Sequence, residues 1–288
     1  MTYSQLTVTA IALAGLICPA SAEGIVFGPV RGKAGESVRL LSHSATPGGT
    51  ISKTLSGATS NGSILITRDR DLVWTFRDPA ADGSRRGMVK VNDITTTTKV
   101  TFNGTPEEAT DASPLKGKLF SMSKPATGDW KFELDGSVPL TTIKTEIDEL
   151  TVYLKRNWYP VKAVELGESW EFDPAWIKMV IHKDLPKAQT IGTMRLRQVR
   201  RAVGRELAVI DISIRSTGSD FLPDGTETSA TIDLSGQVTV NLQTMLDESL
   251  ELTGTITTGT DRVSEVTKVQ LPIKLTVTKS FVRDGQLP

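Results

Sequence analysis

The sequence has almost no cysteine and very little histidine. Its one cysteine is Cys18, and its two histidines are His43 and His182. Beyond Cys18 the chain therefore cannot form a disulfide, a thiolate metal site or a cysteine nucleophile. Two isolated histidines cannot make a histidine-rich zinc site. We interpret His43 as a turn residue and His182 as a cation that stabilises the end of a helix.

The sequence also lacks net charge and the common catalytic motifs. Lys plus Arg equals 33 and Asp plus Glu equals 33, a balance that argues against a nucleic-acid-binding protein because such proteins carry an excess of cations. It has no Gly-x-Ser-x-Gly, no His-Glu-x-x-His, no Walker loop and no Gly-x-Gly-x-x-Gly after a strand. We therefore expect no cofactor, no metal and no catalysis.

Residues 1–22 have the pattern of a cleaved signal peptide. An apolar run from Val8 to Ile17 precedes Ala20-Ser21-Ala22, the small-x-small pattern that signal peptidase cuts. The leader departs from the usual pattern in having no Lys or Arg before the apolar run. The pattern predicts a periplasmic or secreted protein whose mature chain begins near Glu23. Elsewhere the sequence contains no apolar stretch long enough for a transmembrane helix.

Two long tracts, residues 24–136 and 190–282, show the alternation and turn punctuation typical of β-strands. The polar stretch 103–114, inside the first tract, has two prolines and is predicted to be a loop. The pattern predicts a mainly β (α+β) fold, in which a large curved antiparallel sheet or half-barrel carries two short helices on its concave face. We expect residues 23–288 to form a single domain, with two tandem β domains as the alternative.

The central segment 143–184 has helical periodicity. Its first half places apolar residues on one helix face, and its second half begins with Asp173 as N-cap and Pro174 at the first helical position. We interpret both helices as covers for the core. The alternative is that they form the mouth of an apolar cavity lined by tryptophans. The apolar residues of the two faces are Ile143, Ile147, Leu150 and Leu154, then Trp176, Ile177, Val180 and Ile181.

The C-terminal tract allows a register prediction. Placing Val240 opposite Leu250 also places Gly236 opposite Gly254, where the sheet could bend. The last strand, Val269–Val277, contains Pro272 and is therefore predicted to lie at a sheet edge or to be bulged.

Two groups of charged residues are weaker candidates for a site. Paired acids at Asp69 and Asp71, or at Asp220 and Asp224, could in principle support glycoside hydrolysis, although their context is typical of strand ends and turns. A basic group could bind an anionic partner, although such residues more often pair with acids across a strand. The candidate patch consists of Arg195, Arg197 and Arg201, with Arg200 and Arg205 nearby.

The turn Val164-Glu165-Leu166-Gly167-Glu168-Ser169-Trp170, which follows strands and a helix, resembles a turn of uncharacterised exported proteins of Gram-negative bacteria, over about residues 115–260. At the level of architecture, the expected fold is similar to periplasmic lipoprotein carriers and lipid-binding half-barrels. That resemblance implies a fold but assigns no site.

Three functional hypotheses follow. The first is a non-catalytic exported protein that binds an apolar or lipid-like ligand between sheet and helices. The second is a structural or protein-interaction module of the cell envelope, which would use the Val269–Val277 edge or the arginine patch. The third is a carboxylate-dependent hydrolase. The expected partners are an apolar ligand or an envelope protein, without nucleic acid. The predicted ligand-binding residues are Trp158, Trp170, Trp176, Ile177 and Val180.

Overall fold

A computed structural model describes residues 24–78, 83–128, 130–134, 144, 147–148, 150–151, 156–172, 189–202, 204–221, 224–262 and 265–282. The predicted signal peptide lies outside these residues. The strands are β1 (Ser37–Ala45), β2 (Gly49–Leu55), β3 (Ala58–Phe76), β4 (Arg85–Phe102), β5 (Thr105–Ala112), β6 (Leu119–Lys124), β7 (Lys131–Leu134), β8 (Ser169–Phe172), β9 (Gln189–Ala202), β10 (Arg205–Phe221), β11 (Glu227–Asn241), β12 (Leu246–Arg262) and β13 (Glu265–Val282).

The strands form one 13-stranded sheet in the order β7-β6-β4-β3-β1-β13-β12-β11-β10-β9-β8, with β2 pairing to β13 and β3, and β5 pairing to β4. Every pairing between described strands is antiparallel. The prediction of a large antiparallel sheet is therefore confirmed. The two β tracts of the sequence meet where β1 pairs with β13.

One face of the sheet, called here the inner face, carries the core. In register, Val38 of β1 lies opposite Trp74 of β3, and Trp74 opposite Val89 of β4; all three are buried. In the C-terminal strands β10, β11 and β12, the same face is continued by Ile210, Val238 and Leu252. Two clusters of buried residues result, and Leu250 and Leu275 pack against both. Apolar and polar residues alternate along these strands. Because successive side chains in a strand point to opposite sides, the apolar residues come together on this face.

The inner face is covered by two segments that lie outside the strands, residues 24–30 and 156–168, which together are called the cover. Ile25 and Val164 exchange backbone hydrogen bonds of 2.8 and 2.9 Å, and Phe27 stacks on Tyr159 with ring centroids 4.7 Å apart. The N–H of Gly167 donates to the carbonyl of Leu196 at 2.8 Å, which fastens the cover to β9.

The prediction of two helices on the concave face is not supported. Within the described residues the first helix is represented by Lys144, Ile147, Asp148, Leu150 and Thr151, and Leu150 is buried in the cluster beside β1, β3 and β4. Pro160 and the positive φ of Arg156 (49°) keep the following segment out of helical geometry. The second predicted helix, including Trp176, Ile177 and Val180, lies outside the described residues, as does His182.

The prediction of a loop over residues 103–114 was wrong. Asn103 and Gly104 make a turn with φ values of 50° and 80°, and β5 then pairs with β4 along its whole length. Every residue of β5 is exposed. Because β5 buries no side chains, its sequence does not alternate between apolar and polar residues, and no strand pattern is visible in it. The strand is held by backbone hydrogen bonds to β4.

The predicted register of β11 and β12 was wrong by two residues. Val238 lies opposite Leu250, and Val240 lies opposite Asp247 because Glu248 is accommodated in a bulge. The parity is retained, so the apolar residues still face inward. Gly236 and Gly254 are diagonal neighbours rather than partners. A side chain on either one would clash with a carbonyl of the neighbouring strand, so the two strands approach as closely as only glycine permits.

The prediction that the last strand lies at an edge or is bulged was also wrong, since its pairing with β12 has no register shift. β13 lies between β12 on one side and β1 and β2 on the other. Pro272 pairs with Thr255 of β12. On the opposite side it falls between Gln270, which pairs with β2, and Lys274, which pairs with β1. The proline thus occupies the short gap where β1 turns into β2, where a missing N–H disturbs the ladder least.

Candidate functional site

A small cavity lies between the cover and the inner face. Its volume is about 40 Å³, which is enough for one or two water molecules and too small for a lipid. Trp158 of the cover forms one wall. Most of the lining is apolar, with two charged residues: the described lining residues are Trp158, Phe172, Met194, Ile212, Val238, Leu250, Val277, Asp247 and Lys279.

Asp247 is directed into this site by the bulge in β12. The bulged residue, Glu248, accepts hydrogen bonds from Arg205 at 2.8 Å and from the Asn241 side chain at 2.9 Å. Asp247 consequently pairs with Val240, whose side chain belongs to the inner face. The side chain of Asp247 is 6% exposed. A carboxylate this deeply buried needs partners in the protein.

Arg156 and Tyr159 of the cover are two of those partners. Nη2 of Arg156 lies 2.7 Å from Oδ1 of Asp247, and the Tyr159 hydroxyl donates to the same oxygen at 2.8 Å. Nη1 of Arg156 donates to the carbonyl of Gly28 at 2.7 Å, so one guanidinium joins both parts of the cover to the sheet. Its carbon also lies 4.8 Å from the centre of the Tyr159 ring, within the range of a cation–π contact.

Lys279 is the third partner of Asp247. Its Nζ lies 3.7 Å from Oδ2 of Asp247, and its side chain is 8% exposed. The same ammonium lies 5.9 Å from the centre of the Trp74 ring. Among the described residues, the ion cluster therefore contains two cations, Arg156 and Lys279, and one carboxylate.

Burial dominates the titration of this cluster. It raises the pKa of Tyr159 well above its usual value, and the negative charge of Asp247 acts in the same direction. Burial lowers the pKa of Lys279, although Asp247 partly opposes that shift. For Arg156 burial, the largest single effect, also lowers the pKa, but the electrostatic attraction of Asp247 and Tyr159 and the hydrogen bonds to them together outweigh it, and the net shift is upward. Tyr159 therefore stays neutral and Arg156 charged at neutral pH.

The structure brings together two of the predicted ligand-binding residues. Trp158 lines the cavity. Trp170 in β8 packs beside it, half-buried, and donates its indole N–H to the carbonyl of Trp158 at 2.8 Å. Trp170 thereby supports the cover without lining the cavity.

The predicted arginine patch lies on β9. Its guanidinium groups contact acids or backbone carbonyls in adjacent segments of the same chain. Arg195 donates to the carbonyl of Gly167 at 3.2 Å. Arg197 lies 3.7 Å from Asp211, and Arg201 lies 3.0 Å from Glu206. All three arginines are exposed. An interaction with an anionic partner stays a prediction.

The candidate acids and His43 lie away from the cavity. His43 was expected in a turn, but it lies in β1, where Nδ1 is 2.7 Å from Asp69 of β3. Asp71 makes two hydrogen bonds with Arg39, at 2.9 and 2.6 Å. Asp224 accepts from the backbone of Thr226 at 3.0 Å. Over the described ranges no cluster of three or more His, Cys, Asp or Glu could hold a metal ion.

No helix in the described part of the chain is long and apolar enough to cross a membrane.

Neither a family model nor a curated protein matches the sequence. Three solved structures illustrate what the structural comparison finds. OccK7 (OpdD) of Pseudomonas aeruginosa has a TM-score of 0.31 at 4% identity, covering 86% of this chain and 100% of that one. The outer membrane protein OprG of Pseudomonas aeruginosa has a TM-score of 0.21 at 9% identity, covering 88% and 99%. An outer membrane channel from Pseudomonas putida F1 has a TM-score of 0.14 at 10% identity, covering 92% and 100%. Similarities this low support no conclusion about location or function.

The sequence interpretation missed the ion cluster. One signal was available: Leu275 and Val277 of the inner face are followed, at the same spacing of two, by Lys279 and then Phe281. A lysine in an apolar stripe is unusual because burying an ammonium is costly. Nothing comparable marks Asp247, since its inward direction depends on the bulge.

Proposed function

We propose that this chain is an exported, non-catalytic binding protein that takes a small apolar ligand into the cavity between Trp158 and the inner face of a curved sheet. The predicted signal peptide supports a periplasmic or secreted location. The observation that carries the proposal is the cavity itself, with apolar walls and a charged end. In ligand sites apolar contacts give affinity and a few polar groups give orientation; such sites measure roughly 300–1,000 Å³, so a ligand would have to enlarge this cavity.

The ligand must displace part of the cover to enter, because about 40 Å³ holds no more than one or two waters. The cover is suited to such a displacement. It is held by ring stacking between Phe27 and Tyr159, by the ion pair between Arg156 and Asp247, and by isolated hydrogen bonds such as that from the N–H of Gly167 to β9. Movement of Trp158 would extend the cavity without disturbing the strand ladders.

Native mass spectrometry of the mature protein, purified from its own cell envelope, tests this proposal. The wild type is expected to carry an extractable small molecule. A Val238→Phe variant, which fills the cavity at a cost of about 1–3 kcal/mol, is expected to lose it. Val161→Phe is the matched control because Val161 lies on the cover but is 99% exposed.

A second candidate function is a structural or protein-interaction module of the envelope, and the small cavity volume favours it. It predicts an empty wild type and a Val238→Phe variant that behaves like the control. A wild type that contains no extractable molecule after purification from its own envelope would therefore contradict the binding proposal and support this one.

A further inference from the structure

Strand β5 forms an open, acidic edge of the sheet. Among the described strands it pairs with β4 alone, so the backbone groups along its second edge can pair with another strand. All eight of its residues are exposed, and it contains three acids and no Lys or Arg. Glu108 lies 2.9 Å from Lys99 of β4, whereas no described cation lies within salt-bridge distance of Glu107 or Asp111.

The last part of β9 is a second open edge, and it is basic. Among the described segments, β8 and the cover pair with β9 only as far as Leu196. The next five residues, 197–201, are all exposed; three are arginines and none is an acid. Arg197 and Arg201 lie 3.7 and 3.0 Å from acids of β10, and exposed pairs of this kind contribute little to stability. Within the described part of the chain, Arg200 has no acid at salt-bridge distance.

We propose that copies of this chain associate head to tail, with the edge of β5 in one copy adding to the 197–201 edge of β9 in the next. Backbone hydrogen bonds between the two open edges would extend the sheet from copy to copy. The side chains favour this pairing, because it brings three carboxylates against three guanidinium groups, which form strong charge-assisted hydrogen bonds with each other. Pairing of β5 with β5, or of β9 with β9, would place like charges opposite each other and is disfavoured.

The contact is heterologous, since each copy contributes a different edge, and it can therefore repeat along a chain of copies. It is also small, because five residues of β9 meet the eight of β5, and its one large apolar side chain is Val199, which is 38% exposed. An interface of this size is weak, so the association should be reversible and should depend on protein concentration and on salt. The described lining of the cavity lies outside both segments, so this inference stands apart from the ligand proposal.

Sedimentation velocity of the mature protein, over a series of protein concentrations, tests this inference. At about 10 mM salt, where charges act over about 30 Å, the average sedimentation coefficient should rise with concentration. At about 1 M salt, where that range falls to about 3 Å, it should stay at the value of the monomer. A monomer at every concentration in low salt would overturn the proposal, and so would an association that high salt leaves unchanged.

Charge reversal identifies the two edges. The double variant Glu107→Lys with Asp111→Lys on β5, and the double variant Arg200→Glu with Arg201→Glu on β9, should each associate at least about tenfold more weakly than the wild type. An equimolar mixture of the two variants should recover the association, because unlike charges then meet at every contact.

The matched control is Asp233→Lys with Glu251→Lys. It makes the same change in net charge as the β5 variant, at exposed positions of the interior strands β11 and β12, and it should associate as the wild type does. Thermal unfolding establishes that each variant is folded. Failure of the mixture to recover, or a control as weak as the β5 variant, would overturn the pairing of β5 with β9.

Discussion

The carboxylate of Asp247 lies 2.7 Å from the guanidinium of Arg156, and both side chains are more than nine-tenths buried. Asp247 belongs to the sheet and Arg156 to the cover, so this pair joins the two layers. Because Lys279 shares the same carboxylate, Asp247 compensates two buried cations. Its removal should therefore have a larger effect than the removal of either cation.

Asp247→Asn should destabilise the protein by about 3–5 kcal/mol, because it leaves buried cations without their carboxylate. Chemical denaturation measures the change. Asp233→Asn is the control: Asp233 is 67% exposed and lies 3.9 Å from Arg215, so its loss should change stability by no more than about 0.5 kcal/mol. Equal effects of the two substitutions would show that the buried cluster contributes nothing special.

Lys279→Met should cost less stability than Asp247→Asn, no more than about 2 kcal/mol, because the Arg156–Asp247 pair remains and the cost of burying an ammonium is removed. A methionine sulfur can also replace the contact with the Trp74 ring. The same denaturation measurement applies. A loss as large as that of Asp247→Asn would contradict the account in which one carboxylate, Asp247, compensates both cations.

Tyr159 gives a prediction for alkaline pH. Its pKa is raised in the folded state by burial, whereas in the unfolded chain it ionises near pH 10. Above that pH the unfolded state loses a proton that the folded state keeps, so folding stability falls as pH rises. Tyr159→Phe should make stability less sensitive to pH above about 10, as followed by thermal unfolding. If the variant shows the same dependence of stability on pH as the wild type, the raised pKa of a buried Tyr159 hydroxyl would be contradicted.

The close approach of β11 and β12 can be tested at Gly236. An alanine there would clash with the backbone carbonyl of Glu251, so the two strands would have to separate. We expect Gly236→Ala to lose about 3 kcal/mol or more, or to be insoluble. Gly28→Ala is the control, since a methyl group at Gly28 would meet no atom within 4 Å. A stable Gly236→Ala protein would contradict the register found between these strands.

The strands were predictable from the sequence because alternation between apolar and polar residues reports burial on one face. Leu72 and Trp74, two residues apart in β3, both lie on the buried face, and Phe132 packs on the same face. A strand that buries no side chains shows no such alternation, and this is why β5, whose residues are all exposed, was predicted to be a loop. Pro272 led to a wrong prediction for a different reason. A proline shows only that one backbone N–H donor is missing, and in β13 this falls at the gap between β1 and β2, although the strand itself lies inside the sheet.

The candidate site was predictable only in part. Trp158 was among the expected ligand-binding residues and does line the cavity. The charged end depends on three features: the bulge at Glu248, the packing of the cover on the sheet and the continuation of β13 to Lys279. Arg156 and Asp247 are 91 residues apart in the chain, and no local pattern predicts a pair at that separation.

The central claim is that a ligand binds between Trp158 and the inner face, and methyl NMR of methionine tests it most directly. Met194 lines the cavity, whereas Met122 is buried in the other cluster. Titration of protein carrying labelled methionine methyls with octanoate, and separately with octanol, should shift the Met194 resonance and leave that of Met122 unchanged. No shift of Met194 with either probe, or a shift at Met122 alone, would contradict the claim.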